Sequence, residues 1–339
     1  MVVNEHRCAV LGQPIAHSLS PVLHNAAYRA LDLTGWTYGR HEVGEDGLDA
    51  FLKGLDPTWA GLSLTMPLKR TIQPYGTPRN LWAKELGVAN TVVFDWLDDD
   101  APVSAASDAP VLTTAGGHRA RLRLFNTDVI GIQLAFEHAK RERNVVDGAN
   151  AKRERTALVI GNGNTAASAV AAATMMHDVG HVIVAARHPG RNTSLKPVAE
   201  RFISAPTPYR EIDLNDQAAL LAAAAEASYV ISTIPGRAAD ATADLIANEH
   251  QNQDALTGLL LDVVYDPRPT KLMQAWRQRG GSAIGGEEML LYQALVQVLL
   301  MTGEWDGMPP SDADQRLQDV TTDDDKLEIA MRQALEEAL

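Results

Sequence analysis

Cysteine is all but absent from the 339 residues: Cys8 stands alone. One thiol excludes an internal disulfide and fits a reducing compartment, and its place in Cys8-Ala9-Val10-Leu11 marks a buried strand residue, not a nucleophile. Long apolar runs are missing as well. No stretch approaches the roughly eighteen residues that cross a bilayer, and Met1-Val2-Val3-Asn4-Glu5-His6-Arg7 lacks a basic region followed by an apolar core, so a cytoplasmic protein with no membrane partner is expected. Positive charge is in deficit. Against 43 Asp and Glu stand 30 Lys and Arg, a net charge of -13, which argues against nucleic acid as a partner because phosphate binding needs a basic stripe. Residues 311–339 carry nine acids and three bases, almost half of that excess, so the body can still hold a basic pocket for an anionic small molecule. The chain has no G-x-S-x-G, G-x-x-x-x-G-K-[ST] or H-E-x-x-H, which removes the serine hydrolase, P-loop kinase and zinc hydrolase readings. His17 and His24 have no third ligand near them, so no metal is expected.

What the chain does have is 45% apolar residues and the length for two domains with separate cores. Leu62-Ser63-Leu64-Thr65-Met66-Pro67-Leu68-Lys69 reads as a short buried strand, with Leu62, Leu64 and Met66 on one side and Ser63 and Thr65 on the other, ended by a proline that cannot donate to a ladder. Lys69 then falls just past a strand end, where α/β sheets bind ligands, and is a candidate for holding or protonating an anionic or carbonyl substrate; alone, it would pass for a solvated lysine. Upstream, a strand over 7–12 ends at Gly12, and Ser20 with Pro21 is the expected N-cap and first residue of a helix. Capping accounts for Ser20 but not for Ser18, and two hydroxyls beside free amides at a helix start suit a carboxylate. Asn90 precedes the strand Thr91-Val92-Val93-Phe94, where a turn or cap asparagine is the ordinary reading. Residues 95–119, with Asp98-Asp99-Asp100, look like a surface excursion, and Asp128 of Asn126-Thr127-Asp128 would cap a helix over 129–142. A polar segment up to Arg155 reads as a surface link.

Thr156-Ala157-Leu158-Val159-Ile160 is an apolar strand, followed by the turn Gly161-Asn162-Gly163-Asn164-Thr165-Ala166 and a helix of small residues. That is GxGxxA between strand and helix, where glycines allow a tight turn and close approach to a pyrophosphate. A second strand, 181–186, ends at Arg187, where an NAD site would place an acid; an arginine suits a 2′-phosphate, so NADP is favoured over NAD unless Arg187 is merely solvated. Further strands lead to Thr233-Ile234-Pro235 and, past Asp262, to Tyr265. Helix and strand alternate as a parallel, doubly wound sheet requires, which makes the fold class α/β. Gln293 lies in a long apolar helix reaching about 302, where polar filler or a satisfied core amide is usual. A last helix carries Leu327, Ala330, Met331, Ala334, Leu335 and Ala338 on one stripe, to dock on the protein itself or on a second copy.

Taken together, Gly12-Gln13-Pro14-Ile15-Ala16-His17-Ser18-Leu19-Ser20-Pro21, Leu64-Thr65-Met66-Pro67-Leu68-Lys69, Val88-Ala89-Asn90-Thr91, Asn126-Thr127-Asp128, the glycine turn, and Met289-Leu290 with Gln293 resemble the shikimate dehydrogenase family in order and spacing over about residues 7–305. The resemblance implies an α/β molecule of two domains: a substrate domain, 1–127, with a mixed, mainly parallel sheet, completed by helices in 286–339, and a Rossmann NADP-binding domain, 128–285. It implies reversible, NADPH-dependent reduction of 3-dehydroshikimate to shikimate on the route to chorismate and the aromatic amino acids, by a monomer or homodimer. Ser18, Ser20 and Tyr265 would hold the carboxylate side; Thr65, Asn90 and Gln293 would bond the ring hydroxyls; Lys69 and Asp128 would flank the reacting oxygen. Gly161, Asn162, Gly163, Asn164, Thr165, Ala166, Arg187 and Thr233 would bind the cofactor. Hydride arriving at a ketone puts negative charge on its oxygen, so a cation and a proton source must be ready there, and an ammonium beside a carboxylate supplies both without a covalent imine. The chain departs from the family at Ser63, usually Asn; at Asn162 and Asn164, usually small; at Ala186-Arg187-His188, usually Asn-Arg-Thr; and at Gly285, usually Asp. The alternatives are a quinate/shikimate dehydrogenase using NAD and a ligand sensor on the same scaffold, which would need neither Lys69 nor Asp128.

Overall fold

The computed structural model describes residues 5–98, 109–143, 155–249, 255–306 and 326–339. Contacts divide the chain into two compact units, Met1–Thr127 with Gln293–Leu339, and Asp128–Tyr292.

The first unit runs β1 (His6–Gly12), α1 (Ser20–Ala30), β2 (Trp36–Glu42), α2 (Leu48–Lys53), β3 (Trp59–Leu64), α3 (Leu68–Thr71), β4 (Thr77–Pro78), α4 (Leu81–Leu86), β5 (Thr91–Leu97), β6 (Val111–Thr113) and β7 (Arg119–Phe125). Its sheet has the order β2-β1-β3-β5-β7-β4, with β6 on β7. Strands β2, β1 and β3 are parallel, β5 runs against β3, β7 against β5, and β4 lies parallel to β7. Sequence pattern explains the change of direction. The continuous apolar run of β1 is buried throughout Cys8–Leu11, as a parallel strand covered on both faces must be, whereas β7 alternates, burying Ala120, Leu122 and Leu124 and leaving Arg121 and Arg123 half-buried on its other face. Leu11, Leu48, Leu62, Leu68 and Leu122 meet in one core.

Two expectations need correcting here. The 95–119 stretch is not all surface excursion: β5 continues to Leu97, Phe94 stacks on Trp96 with ring centroids 5.6 Å apart, and Val111–Thr113 pairs with β7. A three-residue strand shows no readable alternation; residues 99–108, including Asp99-Asp100, lie outside the described residues, as does the 144–154 link. Met66 does not continue the buried row of Leu62 and Leu64 either. β3 stops at Leu64, and Met66 is 67% exposed in the turn before α3, while Ser63, expected on the opposite face, is itself buried.

The second unit runs α5 (Asp128–Glu142), β8 (Arg155–Ile160), α6 (Asn164–Met175), β9 (Val179–Ala186), α7 (Leu195–Phe202), β10 (Tyr209–Asp213), α8 (Gln217–Glu226), β11 (Ala227–Ser232), α9 (Asp240–Asn248), β12 (Leu259–Asp262), α10 (Lys271–Gln278) and β13 (Ser282–Gly285). All neighbours in the order β10-β9-β8-β11-β12-β13 are parallel. The order reverses at β8, between β9 and β11, so a crevice opens where β8 and β11 end. Ala166–Ala173 of α6 is wholly buried, its small side chains letting the helix close on the sheet. The edge strands β10 and β13 are not among the strands expected from the sequence.

Helix α11 (Gly286–Thr302) follows, and the unit boundary falls within it, between Tyr292 and Gln293. The last helix, α12 (Lys326–Ala338), packs on α1 of the same chain, burying Leu327, Met331 and Leu335; Ala338, expected on that stripe, is exposed, and Glu328 is buried. Among the described residues no helix is long and apolar enough to cross a membrane.

Candidate active site

In the first unit the candidate residues gather at the edge where β1 and β3 end side by side, Leu11 opposite Leu64. The Thr65 amide donates to the Leu11 carbonyl at 2.9 Å and the Gln13 amide to the Met66 carbonyl at 3.0 Å, so the loops after the two strands are sewn together. Gly12 is required between them, since a Cβ there would lie 2.3 Å from Thr65 Cγ2. Past Pro67, the Leu68 amide bonds the Thr65 carbonyl at 2.8 Å and starts α3, which carries Lys69, half-buried. The Lys69 carbonyl accepts from the Ala89 amide at 2.9 Å, which ties the lysine's backbone to the residue before Asn90.

Asn90 is 2% exposed and locked on every side. Its Oδ1 accepts from the Thr127 amide at 2.8 Å and the Thr91 hydroxyl at 2.9 Å, and its Nδ2 donates to Thr127 Oγ1 at 2.9 Å and Gln293 Oε1 at 3.4 Å. The turn reading does not describe it. Asn90 joins three strand ends, its backbone amide reaching the Phe125 carbonyl at 3.0 Å and its carbonyl accepting from the Leu64 amide at 2.7 Å. Asn126 is held in turn by Asn80, whose side chain exchanges bonds of 2.9 and 3.1 Å with its backbone. Asp128, the next residue after Thr127, is 4% exposed and opens α5.

The carboxylate cradle differs from its expected form. The N-cap of α1 is Leu19, without a side-chain capping bond, and Ser20 is the first helical residue. It is Ser18 whose hydroxyl serves the helix start, accepting from the Ser20 amide at 3.3 Å, while the Val22 amide bonds the Leu19 carbonyl at 3.0 Å and Pro21 has none. The first turn therefore has its amides engaged, and an anion would meet the two hydroxyls and the helix dipole rather than free N–H groups. Arg40 of β2 donates to the Ala16 carbonyl, bringing a guanidinium to the loop that holds Ser18. Its signal in sequence was nil, because nothing near Arg40 indicates which loop β2 lies beside.

In the second unit Gly161 has φ +117°, and a Cβ on it would lie 2.4 Å from Thr233 Oγ1, so the Thr233 hydroxyl fills the space a side chain would need. The Thr233 amide and hydroxyl both donate to the Ile160 carbonyl, at 2.8 and 3.0 Å. Gly163 caps α6 and has nothing within 4 Å of where a Cβ would stand, so the turn is open above it. Asn162 and Asn192 make a reciprocal clamp: Asn162 Nδ2 donates to the His188 carbonyl at 2.8 Å and Asn192 Nδ2 to the Asn162 carbonyl at 3.2 Å. The clamp ties the glycine turn to the loop carrying Arg187 and Arg191, both exposed. An open glycine turn at the head of α6, with two guanidinium groups on the adjoining loop, fits a dinucleotide with an additional phosphate. Tyr265 is half-buried in the loop after β12, and burial, with Asp266 next to it, raises its hydroxyl pKa, so it is present as a neutral donor. That loop is pinned by the Thr270 hydroxyl, which donates to Asp262 at 2.7 Å. Among the described residues no group of His, Cys, Asp and Glu side chains could hold a metal ion.

Residues 10–92 match the family model for the shikimate dehydrogenase substrate binding domain. The chain is 30% identical to a shikimate dehydrogenase (NADP(+)) of Methanococcoides burtonii, over 87% of this chain and 92% of that protein. It is also 30% identical to pentafunctional AROM polypeptide 2 of Lodderomyces elongisporus, of whose length it spans 17%. Among solved structures, a shikimate 5-dehydrogenase from Mycobacterium fortuitum is 35% identical with a TM-score of 0.69, covering 98% of this chain and 99% of that one. The Thermus thermophilus shikimate 5-dehydrogenase in complex with NADP(H) and shikimate is 25% identical with a TM-score of 0.64, covering 98% and 100%.

Proposed function

Because the chain belongs to the shikimate dehydrogenase family, we propose that it reduces 3-dehydroshikimate to shikimate, reversibly and with NADPH, in the cytoplasm on the route to the aromatic amino acids. The observation that carries this reading is the buried Asn90 at the strand ends, bonded to both Thr127 and Gln293 of α11, with Thr65 in the loop after β3 and Lys69 on the α3 that follows it. A cyclohexene carboxylate bearing several hydroxyls needs what these elements hold: amide and hydroxyl groups for the ring, two serines at a helix start for the carboxylate, and one ammonium for the reacting oxygen.

NADPH, when bound, supplies the hydride; Gly161, Gly163 and Ala166 permit its pyrophosphate, Asn162, Asn164, Thr165 and Thr233 line the turn, and Arg187 takes the 2′-phosphate. Lys69 meets the charge that grows on the ketone oxygen and delivers the proton to it, and Asp128 is the carboxylate assigned to the same reacting group. Thr65, Asn90 and Gln293 orient the ring hydroxyls, and Ser18, Ser20 and the neutral Tyr265 hydroxyl hold the carboxylate, so that the ketone is presented in a single orientation. The one cysteine is buried, with its thiol pushed up to about 12, and takes no part.

The test is steady-state oxidation of shikimate followed at the nicotinamide absorbance, for wild type and Lys69→Ala. Expected is turnover with NADP, and in the variant a loss of kcat by about two orders of magnitude or more with KM for shikimate little changed, as befits a group acting in the transition state. A variant that lost binding alone would make Lys69 an anchor only, and turnover of quinate with NAD but none of shikimate with NADP would replace the assignment.

A further inference from the structure

We infer that Gln297, one helical turn beyond Gln293 on α11, is a positioning residue that holds the Asn90 amide in register for substrate; this rests on the reading that Asn90 bonds a ring hydroxyl. Gln297 is 1% exposed and its amide is saturated. Nε2 donates to the Asn90 backbone carbonyl at 3.2 Å and to Thr91 Oγ1 at 3.0 Å, and Oε1 accepts from Ser63 Oγ at 2.7 Å and from His24 Nε2 at 3.3 Å.

The polarity of this network follows from its fixed members. A backbone carbonyl only accepts, so the Gln297 atom facing Asn90 is the NH2 group. The Thr91 hydroxyl, receiving the second Gln297 proton, must send its own proton onward, and it does so to Asn90 Oδ1 at 2.9 Å. The Thr127 amide, which only donates, reaches the same oxygen. With Oδ1 occupied from two sides, Asn90 presents its NH2 edge toward Gln293, and that 3.4 Å bond is the longest in the set, the one a substrate hydroxyl would displace. On the far side of Gln297 the order is equally determined. The Tyr38 hydroxyl donates to Ser63 Oγ at 2.6 Å, Ser63 donates to Gln297, and His24, stacked on Tyr38 with centroids 3.9 Å apart, donates as its Nε2–H tautomer. Ser63 is thus part of a buried strut that reaches Asn90 through Gln297, and Gln297 grips both the main chain and, through Thr91, the side chain of the residue it supports.

Two substitutions test the strut without touching Asn90: Gln297→Met, which keeps length and removes polarity, and Thr91→Val, isosteric in a strand and cutting only the relay. Each is expected to raise KM for shikimate about three- to tenfold, the value of one hydrogen bond, with KM for NADP within about twofold. Thr91→Ser is expected to restore the wild-type value. In an Asn90→Ala background the Gln297→Met effect should vanish, because a residue acting through Asn90 has nothing left to position. An unchanged KM for shikimate in both variants, or an effect that adds in full to that of Asn90→Ala, overturns the inference. If Asn90→Ala alone leaves KM for shikimate unaltered, the reading of Asn90 is wrong and the inference goes with it. Wild type that neither binds nor oxidises shikimate removes the functional assignment itself. Thermal unfolding curves monitor the fold, and should Gln297→Met not fold, the Thr91→Val and Thr91→Ser pair decides the question alone.

Discussion

Replacing Gly161 by alanine should damage the second unit's turn in a way that can be sized from the structure. The residue has φ +117°, a conformation that costs a side-chain-bearing residue on the order of 1–3 kcal/mol. The new methyl would also stand 2.4 Å from Thr233 Oγ1, so Thr233 must move, and its 3.0 Å bond to the Ile160 carbonyl is lost at about 1 kcal/mol more. Gly161→Ala is therefore expected to lower stability by roughly 2–4 kcal/mol in urea denaturation followed by circular dichroism, unless the turn relaxes outward. Outward relaxation moves the amides at the head of α6 away from the pyrophosphate, so KM for NADP should rise about tenfold for each 1.4 kcal/mol by which their hold on it weakens. KM for shikimate should stay within about twofold, the substrate groups being on other elements. A variant with wild-type stability and wild-type KM for NADP would refute the reasoning, and one that raised only KM for shikimate would put the dinucleotide elsewhere.

Two further tests address other parts of the molecule. Burial lowers the His24 imidazole from 6.5 to about 3, against a smaller opposing pull from its bond to Gln297. The folded state therefore binds that proton less readily than the unfolded chain. Stability contributed by the neutral ring is whole above about pH 6.5 and is lost as pH falls toward 3, by at most roughly 5 kcal/mol. His24→Gln should flatten urea midpoints measured between pH 7 and 4, and an unchanged slope would mean that the ring is not buried neutral. Arg187→Ala should raise KM for NADP while leaving KM for NAD in place, and Asn162→Ala, which cuts the 2.8 Å bond to the His188 carbonyl, should do the same more weakly by freeing the loop. Equal losses with both cofactors would show that neither residue reads the 2′-phosphate.

Much of the second unit was legible beforehand because its signals are local. An apolar strand, a glycine turn and a helix of alanines are consecutive in the chain, and the backbone demands of that turn are met by residues within six positions of one another. Helix α11 and strand β1 were equally plain, being long and uniformly apolar. Sequence likewise singled out Lys69, Asn90 and Gln293, since the motifs around them are contiguous. It was silent or wrong where the determinant is a neighbour remote in the chain. The alternation around Leu62 put Ser63 and Met66 on the wrong sides of the burial boundary because β3 is covered on both faces and ends before Met66. The Ser20 cap proved to be a task of Ser18, since a capping hydroxyl is chosen by where the chain turns, within a residue or two. Arg40, Gln297, His24 and Asn192 carry no local sign at all, and their roles exist only because folding brings them onto a loop carbonyl, an asparagine and a glycine turn. A chain's own pattern fixes which segments become strands and helices, because periodicity and backbone restriction act over a few residues. Which polar side chains must satisfy one another in a dry interior is decided only when distant segments close around them and exclude the water that would otherwise serve each one separately.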